Sequence, residues 1–335
     1  MRALASVAAS LLLLGLSTPA QAARSFDPNR LTPAADCYGL IVSERAQVPA
    51  QWEIGTSAYV GYTHRPLTLP SGTLVNGQFT VDLSMSIGLL DFLALSAVLP
   101  VAGQVYNGAL VGELVLPTGP MMPTTTTGLY RGARSNSGLA EAGPRDPRLT
   151  LKGRLWRGRS LGVALLTSVT IPVGNSDAFL GEAGVTFRPM AIVDATLGRF
   201  SLIGNLGATV RPASALADPQ QVDAGGKPVA ALGQGHELTF ALGLAARVSS
   251  RLSFSLESFG AAPLTGAVPL TGAATDAPVS ADLDLLGAAW VHINPRVRLS
   301  AALGGSVLLS SPRQDPLRVL VGVSWAPAPR PGGLP

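Results

Sequence analysis

The sequence predicts an all-β protein, a transmembrane up-and-down antiparallel β-barrel of about twelve strands, and three observations carry that reading. The chain of 335 residues is 47% hydrophobic but only 13% charged, about half the roughly 25% charge of an ordinary soluble domain. Beyond the first 22 residues it holds no apolar run long enough for a spanning helix, and the other structure a bilayer permits is a closed barrel. About twelve segments alternate apolar and polar residues strictly, as strands do when each face meets a different environment.

The elements follow in order. Arg2, the apolar stretch Leu11 to Leu16 and the small-residue triplet Ala20-Gln21-Ala22 read as a secretory signal over 1–22, cleaved before Ala23. Residues 23–50 are expected as a periplasmic segment able to plug the barrel. Its Cys37 is the single cysteine, so no intramolecular disulfide forms; it follows Asp36, far from the apolar core of the signal, which argues against a lipid anchor. Strands are expected at 51–64, 74–88, 92–101, 147–156, 160–173, 184–196, 200–211, 236–248, 251–260, 279–292, 296–308 and 316–326. Between Val75 and Leu89 one parity reads Val75, Gly77, Phe79, Val81, Leu83, Met85, Ile87 and the other Asn76, Gln78, Thr80, Asp82, Ser84, Ser86, Gly88. The barrel spans 51–327, and 328–335 form a Pro/Gly-rich tail.

Charge parity agrees. The apolar rows carry no charge, whereas Glu53, Asp82, Arg148, Lys152, Arg154, Arg188, Asp194, Glu237, Arg247, Arg251, Glu257, Asp282, Asp284, Arg296, Arg298 and Arg318 fall on the opposite parity and are the candidates to line a lumen. A basic side chain facing lipid near the midplane costs about 2–4 kcal/mol. A soluble sandwich also segregates its faces, so connection lengths must decide. They alternate long and short, with 65–73, 102–146, 174–183, 212–235, 261–278 and 309–315 long and 89–91, 157–159, 197–199, 249–250 and 293–295 short. That is the mark of a barrel with tight turns on one side and loops on the other. Both termini then lie on the short-turn, periplasmic side, where Trp52 and Trp325 are expected to anchor the interface. With aromatics at 5%, the girdles are expected to be thin.

The stretch Val169-Thr170-Ile171-Pro172-Val173-Gly174, continued by Phe179-Leu180-Gly181-Glu182-Ala183-Gly184-Val185-Thr186-Phe187-Arg188-Pro189 and by Gly235-His236-Glu237-Leu238-Thr239-Phe240 with Gly243-Leu244, resembles the barrel portions of OmpA-family outer-membrane proteins. It is also similar to the barrels labelled as phenol-degradation MetA-pathway proteins. The resemblance covers roughly residues 25–327 and implies a location in the cell outer membrane. No peptidoglycan-binding domain follows the barrel before Pro335, so peptidoglycan anchoring is not implied. The row Leu317, Val319, Val321, Val323, Trp325 looks like the C-terminal signal read by the barrel assembly machinery, although ten residues follow it.

Catalytic signals are weak. Gly158-Arg159-Ser160-Leu161-Gly162 matches the hydrolase elbow, which needs a strand leading into a helix, whereas here it is a turn entering a strand. His64, His236 and His292 lack metal-ligand spacing. A membrane-embedded lipid hydrolase would rest on His236 with Glu237, and no serine lies near them in sequence. No catalytic residue, metal or cofactor is therefore expected. A net charge of +4 with only Lys152 and Lys227 as lysines, and no basic run, excludes nucleic acid as a partner. The partners expected are outer-membrane lipid, the assembly machinery and a small solute.

The sixteen charges either pair across strands and lock the interior or line a pore and set its ion preference. Eight strands are filled by side chains and sixteen leave an aqueous channel. Twelve predict a narrow channel or transporter for small solutes, with a non-conducting structural barrel as the alternative and an anion preference from the excess of arginine. The loop 102–146, with Met121, Met122, Thr124 to Thr127 and Tyr130-Arg131, is a candidate for gating or ligand capture. Its Leu110, Val111, Leu114, Val115 and Leu116 are candidates to extend strands beyond the membrane.

Overall fold

Twelve antiparallel strands close into a barrel in the computed structural model, which describes residues 27–69, 72–106, 115–118, 122–125, 140–182, 184–222, 224, 228–264, 267–268, 277–278, 281–307 and 316–327. The signal reading over 1–22, the tail 328–335 and, in the loop 102–146, Leu110, Val111, Leu114, Met121, Thr126, Thr127, Tyr130 and Arg131 lie outside these residues. The strands are β1 (Ile54–Leu69), β2 (Gly72–Leu90), β3 (Leu93–Tyr106), β4 (Arg148–Arg157), β5 (Leu161–Thr170), β6 (Thr186–Leu197), β7 (Phe200–Thr209), β8 (Glu237–Arg247), β9 (Leu252–Pro263), β10 (Asp282–His292), β11 (Val297–Ser306) and β12 (Leu317–Trp325). Each pairs with its sequence neighbours, and β1 closes the ring on β12, with Val60 opposite both Val81 and Val321. Closure removes the unpaired edges that neither water nor lipid would tolerate for long.

The barrel is built inside out relative to a soluble one. On β2 the residues Gln78, Thr80, Asp82, Ser84 and Ser86 are buried, whereas Phe79, Val81, Leu83 and Met85 stand exposed. The extremes are Gln78 at 0% and Phe79 at 58% exposure. The same holds around the ring, with Leu149, Leu165, Leu202, Leu242, Leu256 and Leu303 all exposed. A sandwich would bury this row, and a water-facing patch of this extent is far larger than soluble monomers carry.

The aromatic side chains are few but placed together. Trp52, Phe92, Trp156, Phe200, Phe254 and Trp325 are all exposed at the short-turn end, so a girdle forms there although aromatics are scarce overall.

The first hairpin departs from the expected loop at 65–73. Both strands continue to Leu69 and Gly72, past a bulge between His64 and Leu67. Past the bulge Leu67 and Leu69 keep the inward parity of Ser57, Gly61 and Thr63, but here the inward row is apolar and packs against Leu74, Val75, Tyr106, Phe179, Leu216 and Leu232. This cluster covers the long-loop end with apolar side chains. Beside it, the upper half of β3 pairs with a short strand, Ala140–Pro144, through which the long loop returns to β4.

Candidate functional site

Residues 27–50 lie inside the barrel as an irregular segment, buried along most of their length. Irregular backbone can exist at this depth only where its polar groups find partners away from lipid. The inward rows of the strands supply them. Near the long-loop end Arg30 forms ion pairs with Glu237 and Asp282, the first residues of β8 and β10. Arg188 donates to Thr32 Oγ1 at 3.1 Å and Arg148 to the Pro33 carbonyl at 2.5 Å. Lower down, Arg298 donates to the carbonyls of Cys37 and Gly39 at 2.5 and 2.7 Å. The Glu257 carboxylate accepts the three successive amides of Ile41, Val42 and Ser43 at 2.7–2.9 Å, a backbone nest around an anion. Asn205 pairs with both the amide and the carbonyl of Glu44, at 2.7 and 2.8 Å. Asp194 accepts from the Ala46 amide at 2.7 Å, and the Trp52 amide reaches Gly88 where the segment enters β1.

The tightest clamp is a buried triad. Lys152 Nζ lies 2.6 Å from Asp36 Oδ2, 2.6 Å from Glu44 Oε2 and 3.0 Å from the Arg45 carbonyl. Each of the three side chains is at most 7% exposed. Glycines on the inward rows let the segment approach. A Cβ on Gly243 would sit 2.9 Å from both Leu40 and Ser43, and one on Gly55 would collide with the Cys37 sulfur. Burial, with the neighbouring Asp36, pushes the Cys37 thiol up to about 12.

Half of the sixteen wall charges thus grip the segment directly. Direct wall-to-wall contacts include Arg318 to Asp284 at 3.5 Å, and Arg211, just past β7, reaches Glu237 at 2.7 Å and Glu182 at 2.9 Å. Above the segment a cavity of about 170 Å³ is bordered by five arginines, at positions 30, 145, 148, 188 and 211, and by six carboxylates, at 27, 82, 146, 182, 237 and 284. Arg145 is paired there with Asp27 and lies 3.9 Å from Asp82. Asp146 holds down the loop above by accepting the amides of Val173, Gly174 and Glu182. Burial, with the nearby Asp27 adding to it, raises its carboxyl above the usual range, and these three amides oppose the rise.

The short-turn end differs. A vestibule of about 880 Å³ opens there, bordered by Glu53 and Asp91 and by eight arginines. Arg154, Arg157 and Arg159 come from β4 and the turn after it, and Arg199 from the β6–β7 turn. Arg247 ends β8, Arg296 lies in the turn before β11, Arg298 lies at the start of β11, and Arg45 points down from the segment. The Nε atoms of Arg45 and Arg298 are buried without a hydrogen-bond partner. Burial lowers the basicity of Arg45; Asp194 opposes this, and Arg298, Arg247 and Arg157 add to it.

The sixteen expected residues therefore divide. Arg148, Lys152, Arg188, Asp194, Glu237, Glu257, Asp282 and Arg298 contact the segment directly. Asp82, Asp284 and Arg318 lie in the upper interior, and Glu53, Arg154, Arg247 and Arg296 border the vestibule. Arg251 stands apart, exposed in the β8–β9 turn. Asp36, Glu44, Arg30, Asp27, Arg145, Arg211 and Asn205 also belong to this network. The signal for them was thin, an acidic and basic sprinkling in an otherwise apolar segment, facing strands whose inward rows contain glycine.

Among the described residues no hydrolytic arrangement is assembled. His64 meets Tyr62, His236 accepts the Arg211 amide, and His292 meets Ser253 at 3.2 Å. Ser160 lies in a turn that enters β5 and not a helix. No cluster of metal-ligating side chains occurs among the described residues.

No family model and no curated protein matches the chain. Among solved structures, an outer membrane channel from Pseudomonas putida F1 is similar over 84% of this chain and 97% of its own, with a TM-score of 0.60 at 14% identity. The NanC porin is similar over 81% of this chain and 100% of its own, with a TM-score of 0.48 at 8% identity. The Ralstonia pickettii toluene transporter TbuX aligns over 91% and 99%, with a TM-score of 0.42 at 10% identity. The first of these shares the fold of a closed twelve-stranded antiparallel barrel.

Proposed function

We propose that the protein is an outer-membrane channel for small solutes, closed at rest by residues 27–50. The apolar exterior and the aromatic rim at the short-turn end support a bilayer as its surroundings, with that end in the periplasm and outer-membrane lipid as its solvent. The row Leu317 to Trp325, exposed on β12, is the surface the assembly machinery would read. The MetA-like resemblance fits this reading, as does the fold shared with an outer membrane channel.

One observation carries the channel reading. The interior is interrupted by a separable segment, joined to the barrel at one end and held to the wall by hydrogen bonds and ion pairs along its whole length, with Leu31, Leu40, Ile41 and Val42 packed on wall residues that include Tyr59, Ile203, Phe259 and Trp290. The polar contacts can be exchanged for water, and withdrawing the four apolar side chains costs the transfer free energy of their burial. The buried Lys152 triad favours a second reading, a permanently filled structural barrel, because a fully desolvated ion cluster is costly to open.

Planar-bilayer recordings and Cys37 alkylation together separate the two. A channel predicts conductance that rises under conditions in which the thiol becomes accessible to maleimide. Alkylation without any conductance would contradict the channel reading.

A further inference from the structure

The vestibule at the short-turn end carries far more positive charge than closure of the barrel requires. We propose that it is a binding site for oxyanions, taking carboxylate or phosphate groups presented from the short-turn side. The site stands whether or not a solute crosses the barrel, so it goes beyond the channel reading.

Three features of the geometry support it. The guanidiniums converge from separate elements, Arg45 from the segment, Arg154 from β4, Arg199 from a turn, Arg247 from β8 and Arg298 from β11, so no single run of sequence explains the cluster. Guanidinium is the side-chain group that pairs with carboxylate or phosphate through two parallel hydrogen bonds. Donors are also accessible there: Arg199, Arg247 and Arg296, all bordering the cavity, are exposed. Finally, the imbalance is local. Eight arginines face two carboxylates here, while the cavity above has five against six. A solvated rim would scatter its charges outward, but here they share one concave space of about 880 Å³, large enough for a multivalent solute and its water. A cleft lined by one sign of charge concentrates the opposite ion.

The test uses the full chain in nanodiscs of zwitterionic lipid, titrated calorimetrically with citrate and with pyrophosphate at low ionic strength. Saturable binding at one site is expected. It should weaken at least tenfold in R199Q/R247Q/R296Q, whose exposed side chains make none of the hydrogen bonds to the segment described above. R251Q, which removes an arginine outside the vestibule, should leave it unchanged. Discs containing phosphatidylglycerol identify the source of the oxyanion. Citrate binding lost there, and kept in zwitterionic discs, assigns the site to a lipid headgroup; binding kept in both assigns it to a soluble anion. Should the triple variant fail to fold by heat-modifiable migration, Arg247→Gln alone should weaken binding about threefold. Wild-type protein that does not bind either anion saturably in zwitterionic discs, or equal losses in R251Q and the triple variant, would overturn the proposal.

Discussion

The two ends of the interior solve the same electrostatic problem in opposite ways. In the upper part, arginines and carboxylates are nearly equal in number, and the N-terminal segment brings Asp27 and Arg30 to partners on the wall, as it does Asp36 and Glu44 further along. At the short-turn end the wall and the segment both contribute arginine, and only Glu53 and Asp91 among the bordering residues oppose it. The upper part is closed by apolar side chains from the extended first hairpin, whereas the lower opens into a cavity of about 880 Å³. A barrel interior of this size is therefore not one environment. Charge balance tells where the chain is meant to stay, and imbalance tells where something else must come.

The largest expected effect follows from breaking the charge balance of the seated segment. Lys152→Met leaves Asp36 and Glu44 buried without their cation, and removing one partner of such a cluster costs on the order of 3–5 kcal/mol. The segment should leave the lumen, seen as rapid maleimide labelling of Cys37 on a barrel that still shows heat-modifiable migration. Next comes Glu257→Gln, which weakens three hydrogen bonds from the segment amides. Hydrogen bonds to a charged group are worth about 1.5–3 kcal/mol, so labelling should accelerate clearly but less than in Lys152→Met. Gly243→Val acts by crowding Leu40 and Ser43 and should displace the segment with every charge left in place, separating steric from electrostatic seating.

A pH series gives a smaller effect with a defined sign. Burial raises the Cys37 thiol to about 12, against about 8.5 for a free cysteine. The protonated thiol is favoured while the segment is seated, so this contribution is fully present below about pH 8.5 and is lost as pH rises towards the seated value. Labelling should stay slow between pH 6 and 8 and accelerate above that range by more than ordinary thiol ionisation explains. The smallest effect is expected from Arg251→Gln, which lies in an exposed turn and should leave both segment seating and migration unchanged.

How much of this was legible in the sequence depends on which contacts an element makes. The strands were readable because alternation is imposed residue by residue by two environments, lipid outside and polar groups inside, and Val75 to Leu89 shows it without the fold being known. The inward direction of Asp82, Lys152 or Glu257 follows from the same parity. What those side chains touch does not. The partners of Lys152 lie 116 and 108 residues away in an irregular segment with no period of its own, and Asn205, uncharged and unremarkable in sequence, turned out to grip Glu44 at both backbone groups. The first hairpin was misjudged as a loop because, past the bulge after His64, the apolar Leu67 and Leu69 occupy the inward parity that Ser57, Gly61 and Thr63 hold below, and such an inversion looks like the end of a strand when only the sequence is in view. The aromatic rim was legible only at Trp52 and Trp325: the other four exposed residues, Phe92, Trp156, Phe200 and Phe254, join them from separate places once the barrel closes.

The most direct measurement is single-channel recording on the full chain and on a chain lacking residues 27–48, reconstituted in the same planar bilayers. If the segment closes a conducting barrel, the shortened chain gives stable conductance steps well above those of the full chain. A shortened barrel that inserts and shows heat-modifiable migration, yet conducts no more than bare lipid, would contradict the account.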